Sequence, residues 1–251
     1  MQKDTKKTSI KQTFFTQKKT SSNLSVINGL QYITPVIVSA IEQLTRREDL
    51  RFLTLVSWFH LFSSYDSLLK RFCSWCPHCY QVWREQEEVV YIPLLWLFKD
   101  VQFCPLHHIR LENICPYCYQ KMLNFCQPGY CSHCGEWLGK RHPPLNLADY
   151  FFSHSSLKVY QQNIAYLQDL IRITPSLSKP PRIKDVCIYL HEHYSHLDQL
   201  ELLDLCFSWW WEIDMITNPE QCEYFTFMTV SLGELYRICR YCQISLHQLF
   251  L

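Results

Sequence analysis

The sequence predicts a mainly α-helical protein that carries, in its middle, a small module of knuckles and short β segments. Three observations lead there. Apolar residues recur at helical spacing on both sides of residues 73–142. Glycine is scarce, at 5 of 251 residues, while aromatic residues make up 15%, a balance suited to packed helices rather than to disorder or an all-β fold. Between the helical stretches stand four pairs of Cys or His, the members of each pair separated by two residues.

Taken in order, residues 1–30 are Lys, Thr, Ser and Gln with little apolar patterning. Lys3, Lys6, Lys7, Lys11, Lys18 and Lys19 face a single Asp4 in the first twenty positions. Such a composition cannot offset the entropy of ordering and predicts a flexible basic tail. A helical segment follows over 31–72. Thr34-Pro35 reads as an N-cap followed by proline at the first helical position. Val36, Ile37, Ala40, Ile41 and Leu44 then share one face, and Arg46 and Arg47 sit where cations suit the helix dipole. A second helix is expected through Leu50, Leu53, Val56, Trp58, Leu61 and Phe62.

The cysteine module occupies 73–142, and His142-Pro143-Pro144 marks its end. Residues 143–181 hold an amphipathic helix, Leu157 to Ile173, with Val159, Ile164, Leu167 and Leu170 on its core face, then a linker from Pro175 to Pro181. Residues 182–251 predict a C-terminal helical bundle divided at Thr217-Asn218-Pro219. Acids outnumber bases there by ten to four.

Several function classes are disfavoured at once. The formal net charge is +1, so bulk electrostatics names no partner. The longest apolar run, Val89 to Phe98, is half the ~20 residues that a bilayer span needs, so no membrane role is expected. The polar N-terminus lacks an apolar signal core. With no secretory route, the 14 cysteines point to metal in a reducing compartment rather than to disulfides. No nucleophile motif, phosphate loop or set of converging acidic metal ligands suggests an enzyme.

The four pairs are Cys76-x2-Cys79, Cys104-x2-His107, Cys115-x2-Cys118 and Cys131-x2-Cys134. A two-residue gap lets both side chains of a tight turn converge on one tetrahedral ion, with backbone N–H groups bonding the thiolates. Three pairs begin Cys-Pro, and proline stiffens the turn. Sequential pairing gives two structural zinc sites flanked by helical segments: Cys76, Cys79, Cys104 and His107, then Cys115, Cys118, Cys131 and Cys134. All four positions of each are filled by protein, which argues for structural rather than catalytic zinc. Cys73 is a competitor for Cys79, and His108 for His107, though register favours His107. Cys126, Cys187, Cys206 and Cys222, and the Cys239-x2-Cys242 pair, read as buried small apolar residues. The aromatic residues around the knuckles, among them Trp75, Tyr80, Trp96 and Trp137, read as the core that a small zinc module needs.

From Thr54 to Gly139 the chain resembles the TniQ/TnsD family of transposon target-selection proteins. The residues that carry this are Leu55-x2-Trp58, Trp75-Cys-Pro-His-Cys79, Trp83-Arg84, Pro93-Leu-Leu-Trp96 and Phe103-Cys-Pro-Leu-His107. They continue through Leu111-Glu112, Cys115-Pro-Tyr-Cys118 and Pro128-Gly-Tyr-Cys-Ser-His-Cys134 to Trp137-Leu138-Gly139. A Lys-rich tail stands where family members usually open with a Pro- and Ser-containing segment. The resemblance implies a non-enzymatic adaptor of a bacterial mobile element, cytoplasmic and nucleoid-associated. Such a protein recognises target DNA or a guide-RNA complex and recruits an AAA+ ATPase. A homodimer is a further partner to consider. Arg84, Lys99, Arg110, Lys121, Lys140 and Arg141 are the candidate phosphate contacts. Ser231 to Phe250 resembles the closing helices of a helix-turn-helix without a basic recognition helix. The alternative reading is a zinc-finger/helix-turn-helix transcriptional regulator.

Overall fold

The computed structural model describes residues 34–62, 68–122, 127–141, 147–150, 153–194 and 229–251. The basic tail, the Thr217-Asn218-Pro219 break, and Cys126, Cys206 and Cys222 lie outside them. Seven α-helices stand among the described residues: α1 Thr34–Thr45, α2 Pro77–Glu85, α3 Leu94–Leu97, α4 His154–Ile173, α5 Ile183–Tyr194, α6 Leu232–Cys242 and α7 Leu246–Phe250. β structure there is confined to isolated bridges. The protein is mainly helical, and no described helix is long and apolar enough to cross a membrane.

Helix α1 turns a different face inward from the one its apolar pattern predicts. Val36 and Leu44 are 66% and 85% exposed, whereas Thr34 and Val38 are buried. An ion pair stands on the same line. Glu42, one more helical step along the Thr34–Val38 line, accepts from the Arg51 guanidinium at 3.0 and 3.3 Å and from the Arg51 backbone N–H at 3.1 Å. The Thr34–Val38–Glu42 stripe thus faces the following turns.

The second predicted helix is two 3₁₀ turns instead, Leu50–Leu53 and Val56–Trp58. Thr54 interrupts it. The Thr54 hydroxyl donates to Arg51 O and accepts from Val56 N–H, a local alternative to the helical ladder, and its backbone is extended.

The C-terminal half builds the helical core. Ser153, Ser231 and Ser245 each begin a helix with a capping box. Helix α4 buries Leu157, Ile164, Leu167 and Leu170, while Val159, expected inside, is exposed. Helix α7 packs on α4 and α5. Gln243, at φ 54°, takes the left-handed conformation that ends α6 and reverses the chain into α7. Cys239, Cys242 and Cys187 are buried among these helices.

Trp58 joins the two ends of the described chain. Fully buried, it donates from Nε1 to Thr174 Oγ1 at 2.8 Å and meets Phe250 edge-on at 5.4 Å between ring centroids. Beside it, Val230 N–H donates to Leu61 O at 2.8 Å. Buried residues from Leu55 to Leu249 form one continuous apolar cluster.

Lys70 is a largely buried cation that composition cannot reveal. Its Nζ donates to Ser74 Oγ, Trp96 O and Val101 O at 2.8, 3.0 and 2.6 Å, holding the entry to the cysteine module. Burial pulls its pKa from 10.5 down to about 8. Between those values the unfolded chain binds the extra proton, so stability should rise with pH across the window. Urea midpoints at pH 7.5 and 9.5 should show a gain of about 1–3 kcal/mol in the wild type that is lost in Lys70→Met. An equal gain in both proteins would refute this.

Candidate metal centres

Three of the four pairs fold into one repeated hairpin knuckle. The residue before the first ligand bridges the residue six places after that ligand: Phe103 with Arg110, Ile114 with Lys121 and Tyr130 with Trp137. Inside each, the first cysteine's N–H donates to a carbonyl five residues on, from Cys104 to Ile109 at 2.8 Å, Cys115 to Gln120 at 2.9 Å and Cys131 to Glu136 at 2.8 Å. The residue after the second ligand is left-handed in every case: His108 at φ 56°, Tyr119 at 59° and Gly135 at 76°. That conformation is unfavourable for His and Tyr. It persists because their N–H groups donate back to Cys104 O and Cys115 O at 2.8 and 2.9 Å.

The first pair departs from this pattern. Cys76 is the N-cap of α2, its Sγ accepting from Cys79 N–H at 3.4 Å, and Pro77 is the first helical residue. Here Cys-Pro is a helix start, for which proline's missing N–H and fixed φ are suited. The Cys76 sulfur therefore lies at the positive end of a helix, which offsets part of the rise in its pKa that the Cys104 sulfur and burial impose.

Two clusters result. Cys76, Cys79, Cys104 and His107 form one, Cys115, Cys118, Cys131 and Cys134 the other, and within each all ligand atoms lie within 4.8 Å of one another. His107 rather than His108 belongs to the first, and Cys73 is buried outside both.

The spacing tests whether an ion fits. A tetrahedral ion with Zn–S bonds of ~2.3 Å requires sulfur atoms ~3.8 Å apart. Cys79–Cys104, Cys115–Cys134 and Cys118–Cys131 are 3.6, 3.7 and 3.6 Å apart. His107 Nδ1 is 3.6, 3.1 and 3.6 Å from the sulfurs of Cys76, Cys79 and Cys104. These distances are far too long for disulfides and suit a metal, so both clusters can hold one.

Proton equilibria agree. Hydrogen bonds from the thiols of Cys76 and Cys79 hold Cys104 down to about 2, while Cys76 rises to about 12 and Cys79 rises as well. In the second cluster burial opposes ionisation of Cys131, but backbone N–H groups of Cys134 and His133 bring it to about 6. Cys134, despite a backbone bond from Glu136, is pushed up to about 12, with the neighbouring sulfurs of Cys131, Cys118 and Cys115 raising it. Each cluster thus ionises readily once, and further thiolates require a cation among them.

Residues 5–111 match the TniQ family model. That segment of the chain is a TniQ domain. No curated protein matches it. The TniQ match begins far upstream of the resemblance read from Thr54 onward, so it takes in most of the Lys-rich segment. It stops between the two clusters, after His107 and before Cys115.

Beyond the TniQ match, Trp137 organises the last knuckle. Its Nε1 donates to Gln81 Oε1 at 3.0 Å, and the Arg84 guanidinium lies 4.8 Å above its ring. Gly129 and Gly139 press against that ring. Both glycines stand in the motifs that carry the family resemblance, but their packing against Trp137 was not read from the sequence. A Cβ on Gly129 would overlap the indole, and its φ of +87° disfavours any side chain. Gly129→Ala should cost about 2–3 kcal/mol and loosen metal retention. Gly135→Ala, at φ +76° with open space around it, should cost only about 1 kcal/mol. Urea midpoints of the two variants check the order.

The candidate phosphate contacts have varied local partners. Arg84 is committed to Trp137, Lys121 lies 5.0 Å over Phe72, and Arg141 pairs with Glu85. Lys99, Arg110 and Lys140 are exposed. Beside the first cluster, His78 stacks on His107 at 4.2 Å, a contact that the sequence did not announce.

Proposed function

We propose that this chain is a target-selection adaptor for transposition, which recognises target DNA or a guide-RNA complex and recruits an AAA+ ATPase. The TniQ match over residues 5–111 carries the reading, because that family is one of non-catalytic transposition adaptors. On this reading Cys76, Cys79, Cys104 and His107 hold one zinc ion, and Cys115, Cys118, Cys131 and Cys134 a second. Both ions are structural. Thiolate-rich tetrahedral sets select zinc over harder cations, and four protein ligands leave no position for a reacting water. Their work is mechanical: short loops with few apolar residues of their own become rigid enough to present a fixed face. The adaptor acts in the bacterial cytoplasm at the nucleoid, and Arg84, Lys99, Arg110, Lys121, Lys140 and Arg141 supply its contacts to phosphates.

The test is retention of the AAA+ ATPase of the same element on the immobilised chain, with ATP and DNA present. Retention that disappears on chelation is expected. Absence of retention, together with tight, salt-sensitive DNA binding by the chain alone, would favour the transcriptional regulator instead.

A further inference from the structure

The two clusters share a ligand geometry but not a setting. In the first, Cys76, Cys79 and Cys104 are at most 1% exposed, and only His107 is partly accessible. Its elements run into the interior. Cys76 caps α2, Trp75 and Glu112 exchange backbone hydrogen bonds at 2.9 and 2.8 Å, and Phe103 N–H donates to the Tyr160 hydroxyl of α4 at 3.1 Å. In the second, Cys134 is exposed and Cys118 is half-buried. Every residue from Ser132 to Glu136 is exposed. This cluster meets the rest of the fold mainly along one edge, through Lys140 N–H to Pro77 O at 2.8 Å, Cys73 N–H to Met122 O at 3.1 Å and Trp137 to Gln81.

Removal of a metal from thiolates proceeds by ligand exchange. An incoming chelator atom must reach the ion while a departing sulfur finds a proton or solvent. Both events are open at Cys134 and closed at Cys76, Cys79 and Cys104. We propose that the two centres are unequal in kind: the first is a permanent part of the fold, and the second holds its ion exchangeably. The Ile114–Trp137 half then opens and closes with free zinc while α2 and the helical core persist. The inference rests on the reading of both clusters as metal centres.

What the second ion controls is specific. The cleft of about 380 Å³ between α2 and the last knuckle has Arg84 and Glu88 on one side and Tyr130 and Trp137 on the other. Losing the second ion removes the side that Tyr130 and Trp137 form, so whatever this face engages becomes conditional on zinc supply.

The full chain, loaded with zinc, is mixed with an excess of a chromophoric chelator, and release is followed alongside far-ultraviolet circular dichroism. Two equivalents should leave in two phases at least tenfold apart in rate, with helical signal kept through the first. Cys134→Ser and, independently, Cys118→Ser should abolish the fast phase and leave the slow one. Release of both ions in one phase, loss of helix with the first ion, or loss of the slow phase in either variant would overturn the proposal while leaving two metal centres. A preparation that binds no zinc would overturn the metal reading itself.

Discussion

Cys104→Ser should leave a chain that no longer folds cooperatively and binds at most one metal ion. Cys104 is the deepest ligand of the first cluster that also belongs to a hairpin, and its thiolate is the one its neighbours already stabilise. Structural zinc contributes roughly 10–16 kcal/mol of apparent folding free energy, as much as the whole net stability of an ordinary domain, about 5–15 kcal/mol. A serine oxygen in this position is a poor substitute for a soft thiolate. Metal content by mass spectrometry and thermal melts by circular dichroism decide the matter. A Cys104→Ser protein that keeps two metal ions and an unchanged melt would show that Cys104 is not a required ligand.

Trp58→Ala comes next in expected effect, and it acts without touching a metal ligand. The side chain is fully buried, and its removal opens a cavity between the N-terminal turns, Thr174 and Phe250. Large-to-small changes at such positions cost about 3–5 kcal/mol. Trp58→Phe separates packing from polarity. It keeps a ring but leaves the Thr174 hydroxyl, which donates to Leu170 O at 2.7 Å, without its indole donor, at about 1–2 kcal/mol. Urea unfolding followed by circular dichroism should rank wild type above Trp58→Phe above Trp58→Ala. Equal midpoints for the two variants would mean that the hydrogen bond carries the stability rather than the packing.

The parts of this protein that were legible in its sequence are those whose cause is local. Two Cys/His clusters could be read because a two-residue gap brings two donors together whatever surrounds them. Helix α4 could be read because Ile164, Leu167 and Leu170 repeat at the helical period. The inward face of α1 could not, because its partners, among them Arg51 against Glu42, are set by how the chain turns back after the helix. The helix expected from Leu50 to Phe62 failed at one hydroxyl, that of Thr54. Lys70 looked like any surface lysine, since the three acceptors around it come from Ser74, Trp96 and Val101 and gather only in the folded chain. The opening Cys76-Pro77 was ambiguous for a related reason: the same dipeptide begins a helix in one place and a knuckle in two others.

The contact between Trp58 and Phe250 has a consequence for biosynthesis. Domains generally fold as units while the ribosome is still elongating them, at roughly 5–20 residues per second. Here the pocket around an early tryptophan stays unfilled until the α7 sequence has cleared the exit tunnel, whereas both sets of ligands have emerged by Cys134. The nascent chain can therefore capture metal long before its helical core closes. Metal uptake by the clusters can then precede the seating of Phe250, leaving an interval in which Trp58 is open to a chaperone or a protease.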